Sequence, residues 1–223
     1  MAVTVLDCAY TVKAIYKNQD IQDFRLLTGF YDAKNSAVGL QGYSVGVYQY
    51  LHAPSTYVLS CRGSAKGVLT KDWIDDDVSI GLGRSPDRTN DSINYALAKQ
   101  AAFGPGALII VTGHSLGGHI AQVIGVFCNM PFCTFNAPPA RGLFTGKLPG
   151  GMRVGTFNSG INYRVNYDPV SKVSGKHVGP LVTLPLNGQA HAKAHGAATV
   201  IESVIASGFG NRPVMAEIQR LNP

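Results

Sequence analysis

Apolar residues recur along this chain with two different spacings, which predict helices and strands in alternation. Residues 3–18 carry apolar side chains three and four positions apart, the spacing of an amphipathic helix. Residues 107–112 instead form a continuous apolar run rich in β-branched side chains. Such a run is typical of a strand that is buried on both faces of a parallel sheet.

Further elements are predicted on both sides of this strand. We expect strands at 57–61, 132–135 and 162–166, two short strands within 36–50, and helices over roughly 91–102, 116–127 and 195–207, the last being the final helix. Asp91 is a suitable N-cap, and segment 81–90 is rich in turn formers and predicts an exposed loop. Strand and helix alternate, so the expected fold class is α/β, with a mostly parallel central sheet flanked by helices in a single domain over 1–223.

The strongest chemical signal lies between the buried strand and the helix that follows it. Residues 113–117 read G-H-S-L-G, with Ser115 at the centre. This pattern, after a strand and before a helix, is typical of a nucleophile elbow. Side chains at 113 and 117 would collide in so tight a turn, and the amide of Leu116 is a predicted donor to an oxyanion. The alternative is a glycine-rich turn around a buried serine, which the strand–turn–helix context disfavours.

A serine nucleophile needs a base, and the base needs an acid to orient it. Both are expected downstream, and Asp168 is the predicted acid because it immediately follows a predicted strand. The alternative is a simple turn aspartate. We prefer His195 as the base because it directly precedes the last helical pattern, with His191 left open. His119 is predicted to be structural and His177 to lie in a surface loop.

Composition and charge limit the possible partners. The net charge of +6 and pI near 9.2 favour anionic partners such as phospholipid headgroups, although the charge also serves solubility. Lys and Arg are scattered singly, which argues against nucleic-acid binding. The four cysteines match no zinc spacing, and a Cys128–Cys133 disulfide is compatible with the spacing but otherwise unsupported. We predict no metal ion and no cofactor.

The N-terminus bears on where the chain is made. It has neither a basic region nor a long apolar stretch, so no Sec signal peptide is predicted. No apolar run approaches the roughly 20 residues that a membrane span needs. We therefore expect a chain that is cytoplasmic as synthesised, with export by a system that reads no signal peptide as an open alternative.

Five segments within about 55–200, taken in order, resemble the class 3 lipase family. They are 58–64 (V-L-S-C-R-G-S), 72–77 (D-W-I-D-D-D), 113–118 (G-H-S-L-G-G), 134–138 (T-F-N-A-P) and 166–170 (N-Y-D-P-V). The resemblance implies an α/β-hydrolase fold and hydrolysis of acylglycerols or phospholipids. It also implies that Ser64, through its hydroxyl and amide, joins Leu116 in an oxyanion hole. Segment 81–90 is then the best candidate for a small lid.

The function predicted from the sequence is a serine esterase or lipase acting through Ser115, Asp168 and His195. A specific version is phospholipase A1-like attack on bacterial membranes after delivery as a toxin. The expected partners are a lipid ester and, peripherally, an anionic membrane surface; the sequence points to no nucleic acid and to no particular immunity protein. The alternatives are a non-catalytic module that binds lipid or protein and an acyltransferase with the same three residues.

Overall fold

A seven-stranded sheet runs through the part of the chain that the computed structural model describes, residues 1–17, 19–28, 45–63, 86–144, 157–173 and 175–222. The strands lie side by side in chain order. Neighbours from β1 to β3 are antiparallel, and those from β3 to β7 are parallel. The predicted α/β fold with a mostly parallel sheet is confirmed. The strands are β1 Phe24–Thr28, β2 Val45–Tyr50, β3 Thr56–Cys61, β4 Leu108–His114, β5 Phe132–Phe135, β6 Gly160–Val165 and β7 Leu181–Leu184.

Strand β4 is buried on both faces, as its apolar run predicts. Ile109 and Val111 pack into one core cluster, and Ile110 between them packs into the other. Successive side chains of a strand point to opposite faces, so the two clusters lie on opposite sides of the sheet. β4 therefore holds the centre of the sheet, and its carboxyl end leads directly into the elbow.

Helices cover both faces of this sheet. One core cluster contains residues of α1, α4 and α5, and the other contains residues of α2 and α3. A capping box starts α1, in which the Thr4 hydroxyl accepts from the Asp7 amide and the Asp7 carboxylate accepts from the Thr4 amide. The helices are α1 Val5–Ala14, α2 Pro86–Phe103, α3 Leu116–Cys128, α4 Ala197–Ala206 and α5 Val214–Leu221.

Several predicted boundaries and elements were wrong. Helix α2 begins at Pro86 rather than near 91, so Asp91 lies within the helix instead of capping it. Proline is tolerated in the first turn of a helix because the N–H that it lacks has no partner there. Strands β1 and β7 and helix α5 were not predicted, so the helix near 195–207 is not the final one. β7 has only four residues, L-V-T-L, and so short an apolar run does not distinguish a strand from other structure. Of the two strands expected within 36–50, β2 is described, and residues 36–44 lie outside the described ranges.

Cys128 and Cys133 are free buried thiols, so they form no disulfide. The two side chains belong to different core clusters, on opposite sides of the sheet. Within the described ranges, no helix is both long and apolar enough to cross a membrane.

Candidate active site

The turn between β4 and α3 holds Ser115 in an unusual backbone conformation. Its φ is 59° and its ψ is −133°, a combination that costs a residue other than glycine roughly 1–3 kcal/mol. The Ser115 amide donates to the Phe135 carbonyl at 3.1 Å, which ties the turn to the end of β5. The side chain is almost wholly buried, at 5% exposure. The surrounding sheet therefore sustains the strained turn that the G-x-S-x-G pattern predicts.

Two glycines make this turn possible. A Cβ at Gly113 would collide with the carbonyl of Gly117, and a Cβ at Gly117 would collide with the carbonyl of Cys61 in β3. Both obstacles are backbone atoms in the sheet or the helix, which cannot move aside as a side chain can. The helix can approach the sheet this closely only because positions 113 and 117 lack side chains.

Asp168 follows β6 and is completely buried. One carboxylate oxygen, Oδ2, accepts a hydrogen bond of 2.8 Å from the Ser171 amide. Tyr167, just before it, has a φ of 68°, and this left-handed residue turns the chain sharply at the strand end. The loop thus fixes the carboxylate and leaves its second oxygen for another donor.

His195 connects Asp168 to Ser115. Its Nδ1 lies 2.7 Å from Asp168 Oδ1, and its Nε2 lies 2.8 Å from Ser115 Oγ. A carboxylate can only accept, so Nδ1 carries the proton and Nε2 is free to accept from the serine hydroxyl. The structure brings these three predicted residues together in one buried hydrogen-bonded chain.

His191, the other candidate base, lies apart from this chain. Its ring is exposed and stacks on the ring of Tyr167 with centroids 3.9 Å apart. It belongs to the 3-10 turn at 191–193, just before His195. The two histidines are close in sequence, but only His195 faces Ser115.

Asn136, which the sequence analysis did not single out, holds the acid and base loops together. Its side-chain Nδ2 donates to the Ala194 carbonyl at 2.9 Å, and its Oδ1 accepts from the Val165 amide at 2.7 Å. It therefore bridges the residue before His195 and the last residue of β6. A completely buried asparagine within the T-F-N-A-P segment was the available signal.

His114, directly before Ser115, also lies against His195. Its Nε2 is 2.5 Å from the His195 carbonyl oxygen, and the two ring centroids are 4.7 Å apart. Burial, with a smaller effect of the neighbouring His195, lowers the pKa of His114 to about 3. The ring is therefore neutral at physiological pH. The variable position of G-x-S-x-G gave no sequence signal for this contact.

Two other histidines lie elsewhere in the fold. His119 in α3 is buried, in line with a structural role, and burial lowers its pKa to about 4. His177 is half-buried rather than a free surface residue, and burial also lowers its pKa to about 4. His177 lies in a loop, as predicted, but it is less exposed than expected because packing, and not local composition, decides exposure.

The predicted oxyanion donors are only partly within the described ranges. Leu116 is the first residue of α3, where amides have no partner inside the helix. Ser64 lies outside the described residues, as do segment 72–77 and residues 81–85 of the proposed lid. Gly63 is described, and a Cβ there would lie 3.2 Å from the Ser115 Cβ. The backbone that leads to Ser64 therefore passes directly beside Ser115.

Among the described residues, no three His, Cys, Asp or Glu side chains cluster as a metal site would require. The chemistry available in the described part of the site is that of a serine, an imidazole and a carboxylate.

The sequence of this chain matches one known family over most of its length. Residues 7–217 match the family described as phospholipase-like, Tle-like phospholipase domain. Similar solved structures include a mutant form of MDLA from Penicillium cyclopium, with 19% identity, coverage of 83% of this chain and 78% of that one, and a TM-score of 0.52. The lipase–propeptide complex from Rhizomucor miehei has 16% identity, coverage of 78% and 65%, and a TM-score of 0.51. These two likenesses concern the fold. No curated protein matches the sequence.

Proposed function

This chain belongs to the phospholipase-like family of Tle-like phospholipase domains, and from that membership we propose that it is a serine hydrolase that cleaves an acyl ester of phospholipids in a phospholipase A1-like reaction. The family supports lipid ester hydrolysis. The observation that carries the mechanism is the chain from Asp168 through His195 to Ser115, with hydrogen bonds of 2.7 and 2.8 Å.

The first half-reaction transfers the acyl group to the enzyme. Ser115 Oγ attacks the ester carbonyl while its proton passes to His195 Nε2. Asp168 keeps the imidazole in the required tautomer and stabilises the imidazolium. The carbonyl oxygen becomes an oxyanion, and each preorganised donor to it is typically worth about 2.7–4 kcal/mol. The Leu116 amide and Ser64 are the proposed donors.

The second half-reaction releases the fatty acid. By the time it begins, acylation is complete: the C–O bond to the glycerol has broken, and the leaving alkoxide has taken the proton from His195 Nε2 to give a lysophospholipid. Water then attacks the acyl-enzyme and gives its proton to the same nitrogen. The tetrahedral intermediate collapses to the fatty acid, and the proton returns to Ser115.

The direct test compares the native protein with Ser115→Ala on vesicles of phosphatidylethanolamine and phosphatidylglycerol. We expect fatty acid release by the native protein, loss of that release in the variant, and unchanged folding by circular dichroism. A fluorophosphonate probe should label only the native serine. The position of the acyl chain left on the lysophospholipid decides between A1 and A2 attack. Equal fatty acid release by the two proteins would overturn the proposal, and acyl transfer to added alcohols in place of hydrolysis would indicate an acyltransferase.

The distribution of charge supports an anionic lipid surface as the place of action. Of 13 Asp and Glu residues, ten lie within 1–91, and Asp168 is the only one within 92–201, where eight Lys and Arg residues lie. The Asp168 carboxylate is buried, so it contributes little negative charge to the surface. The part of the chain that contains the serine, acid and base is therefore predominantly basic.

An exposed group of three side chains beside the site has the chemistry for headgroup contact. Tyr167 is 48% exposed, with the His191 ring stacked on it and Lys172 Nζ 5.5 Å from its ring centroid. Tyrosine and lysine suit a membrane interface because each joins an apolar body to a polar end. We assign this group to contact with phosphate headgroups next to the catalytic chain.

Charge reversal tests the membrane contact. Lys172→Glu should weaken binding of the Ser115→Ala protein to phosphatidylglycerol vesicles in a sedimentation assay, and the loss should shrink at high salt because screening weakens the attraction. Lys99→Glu is the matched control, since Lys99 Nζ lies 5.2 Å from the Tyr95 ring centroid in α2, away from the site residues. Equal weakening by both substitutions would show only an effect of net charge.

A further inference from the structure

His114 contacts residues outside the hydrogen-bonded group of Ser115, His195 and Asp168, on the side of the site nearest helix α1. Its Nε2 is bonded to a carbonyl oxygen, which can only accept, so this nitrogen carries the proton of the neutral ring. Nδ1 is then an acceptor, and the Tyr16 hydroxyl lies 3.5 Å from it. The two rings meet edge to face with centroids 6.5 Å apart. The tautomer of His114 therefore follows from its two partners.

Tyr16 also reaches the segment that leads to the proposed oxyanion residue. A Cβ on Gly63 would lie 2.6 Å from the Tyr16 hydroxyl oxygen, so the hydroxyl packs directly on that backbone. Arg62 lies over the Tyr16 ring, with its guanidinium carbon 5.5 Å from the ring centroid. The hydroxyl therefore lies between the backbone at Gly63, just after β3, and the ring of His114, which directly precedes Ser115.

The geometry points to Tyr16 and His114 as positioning residues that hold the backbone of His195, a role that rests on the proposed hydrolase function. Asp168 fixes the His195 ring, and His114 fixes its main-chain carbonyl, so the base is held at both ends. His195 lies just after a 3-10 turn and just before Gly196, where the backbone has little regular structure to hold it. A displacement of about 1 Å at a reacting group can cost roughly 100-fold in rate.

The neutral state of His114 matters for charge as well as for position. The charged and titratable groups that face it are Tyr16 from the turn after α1, Arg62 just after β3, and the Asp168–His195 pair. When His195 becomes cationic during the reaction, a second cation with its ring centre 4.7 Å away would oppose it. The Nε2–H of a neutral His114 instead points at a carbonyl and adds no net charge.

Substitutions at 114 and 16 separate positioning from general stability. His114→Leu removes the donor to the His195 carbonyl, whereas His114→Gln keeps an N–H at a similar reach. For a soluble short-chain ester we expect kcat to fall by about 10–100-fold in the Leu variant with KM nearly unchanged. The Gln variant should recover most of the rate, and Tyr16→Phe should show a smaller loss. His52→Gln, at an exposed site bonded to Asp23, is the remote control.

A measurement on the resting protein makes the result independent of catalysis. In protein labelled with ¹⁵N-histidine, the Nδ1–H proton of His195 reports its hydrogen bond to Asp168. We expect this signal to broaden in His114→Leu and to persist in His114→Gln. An unchanged signal together with an unchanged kcat in His114→Leu would overturn the positioning role. Loss of the signal in a protein that hydrolyses no ester would instead defeat the proposed function and leave the positioning role standing.

Discussion

The two ring nitrogens of His195 have different partners, and this difference fits the proposed role of His195 as general base. Nδ1 faces a carboxylate, which can only accept, and Nε2 faces a hydroxyl. The tautomer is therefore set before any substrate arrives, which is what a general base requires. His191, four residues earlier, stacks on Tyr167 at the surface and has no such pair of partners.

Alanine substitution at each histidine gives the residue-scale prediction. His195→Ala should lower kcat/KM by on the order of 10⁴-fold or more, because it removes the group that takes the Ser115 proton in the proposed mechanism. His191→Ala should leave hydrolysis of a soluble ester nearly unchanged. Both are measured with a chromogenic acyl ester. The reverse order of effects would make His191 the base and contradict the geometry of the site.

At the scale of elements, the site is assembled from the carboxyl ends of adjacent parallel strands. β4 leads to Ser115, β6 leads to Asp168, and β5 between them leads to Asn136, whose side chain bonds to the end of β6 at Val165 and to Ala194 beside His195. Parallel strands present their carboxyl ends along one edge of the sheet, and loops at that edge can meet although they are far apart in sequence.

The close approach of α3 to the sheet gives the prediction at this scale. Gly117→Ala would place a methyl group against the Cys61 carbonyl, and overpacking of this kind typically costs about 1–3 kcal/mol. Gly106→Ala is the control, since a Cβ there meets nothing within 4 Å and the substitution should be neutral or slightly stabilising. Urea unfolding monitored by circular dichroism measures both. Equal stability of the two variants would mean that α3 can shift away from β3.

At the scale of the whole molecule, both faces of the sheet are covered, and neutral histidines lie buried (His114 and His119) or half-buried (His177). Burial lowers the pKa of His114 to about 3 and of His119 and His177 to about 4. In the unfolded chain each has an ordinary pKa near 6.5. Between these values the unfolded state binds more protons than the folded state, so acid favours unfolding.

The free energy of unfolding should therefore be highest above about pH 6.5 and fall as the pH decreases toward 4. Each histidine contributes a slope of up to about 1.4 kcal/mol per pH unit, with the half-buried His177 contributing less. Urea unfolding at pH 7.5, 6 and 5 measures the total. His119→Gln should reduce the slope of the free energy of unfolding against pH by the contribution of one titrating group. A free energy of unfolding that stays constant from pH 7.5 to 5 would contradict the burial of these rings.

What the sequence alone determined is local. It includes the buried strand β4, the elbow around Ser115 and the position of Asp168 after a strand. Each of these depends on residues close together in the chain, and the spacing of those residues follows from the local backbone geometry. The short edge strand β7 and the true start of α2 at Pro86 escaped this reading. A four-residue apolar run is too short to distinguish a strand from other structure, and proline at a helix start resembles a loop residue.

The tertiary structure decided which histidine meets Ser115, and it added Asn136, His114 and Tyr16 to the site. The partners in these contacts are 27 to 98 residues apart in the chain. Contacts of that kind depend on how helices and strands pack, and periodicity within a segment carries no information about which distant segment it will face. His191 and His195 have nearly the same local sequence surroundings, so only packing around the carboxyl edge of the sheet could turn one of them inward and leave the other at the surface.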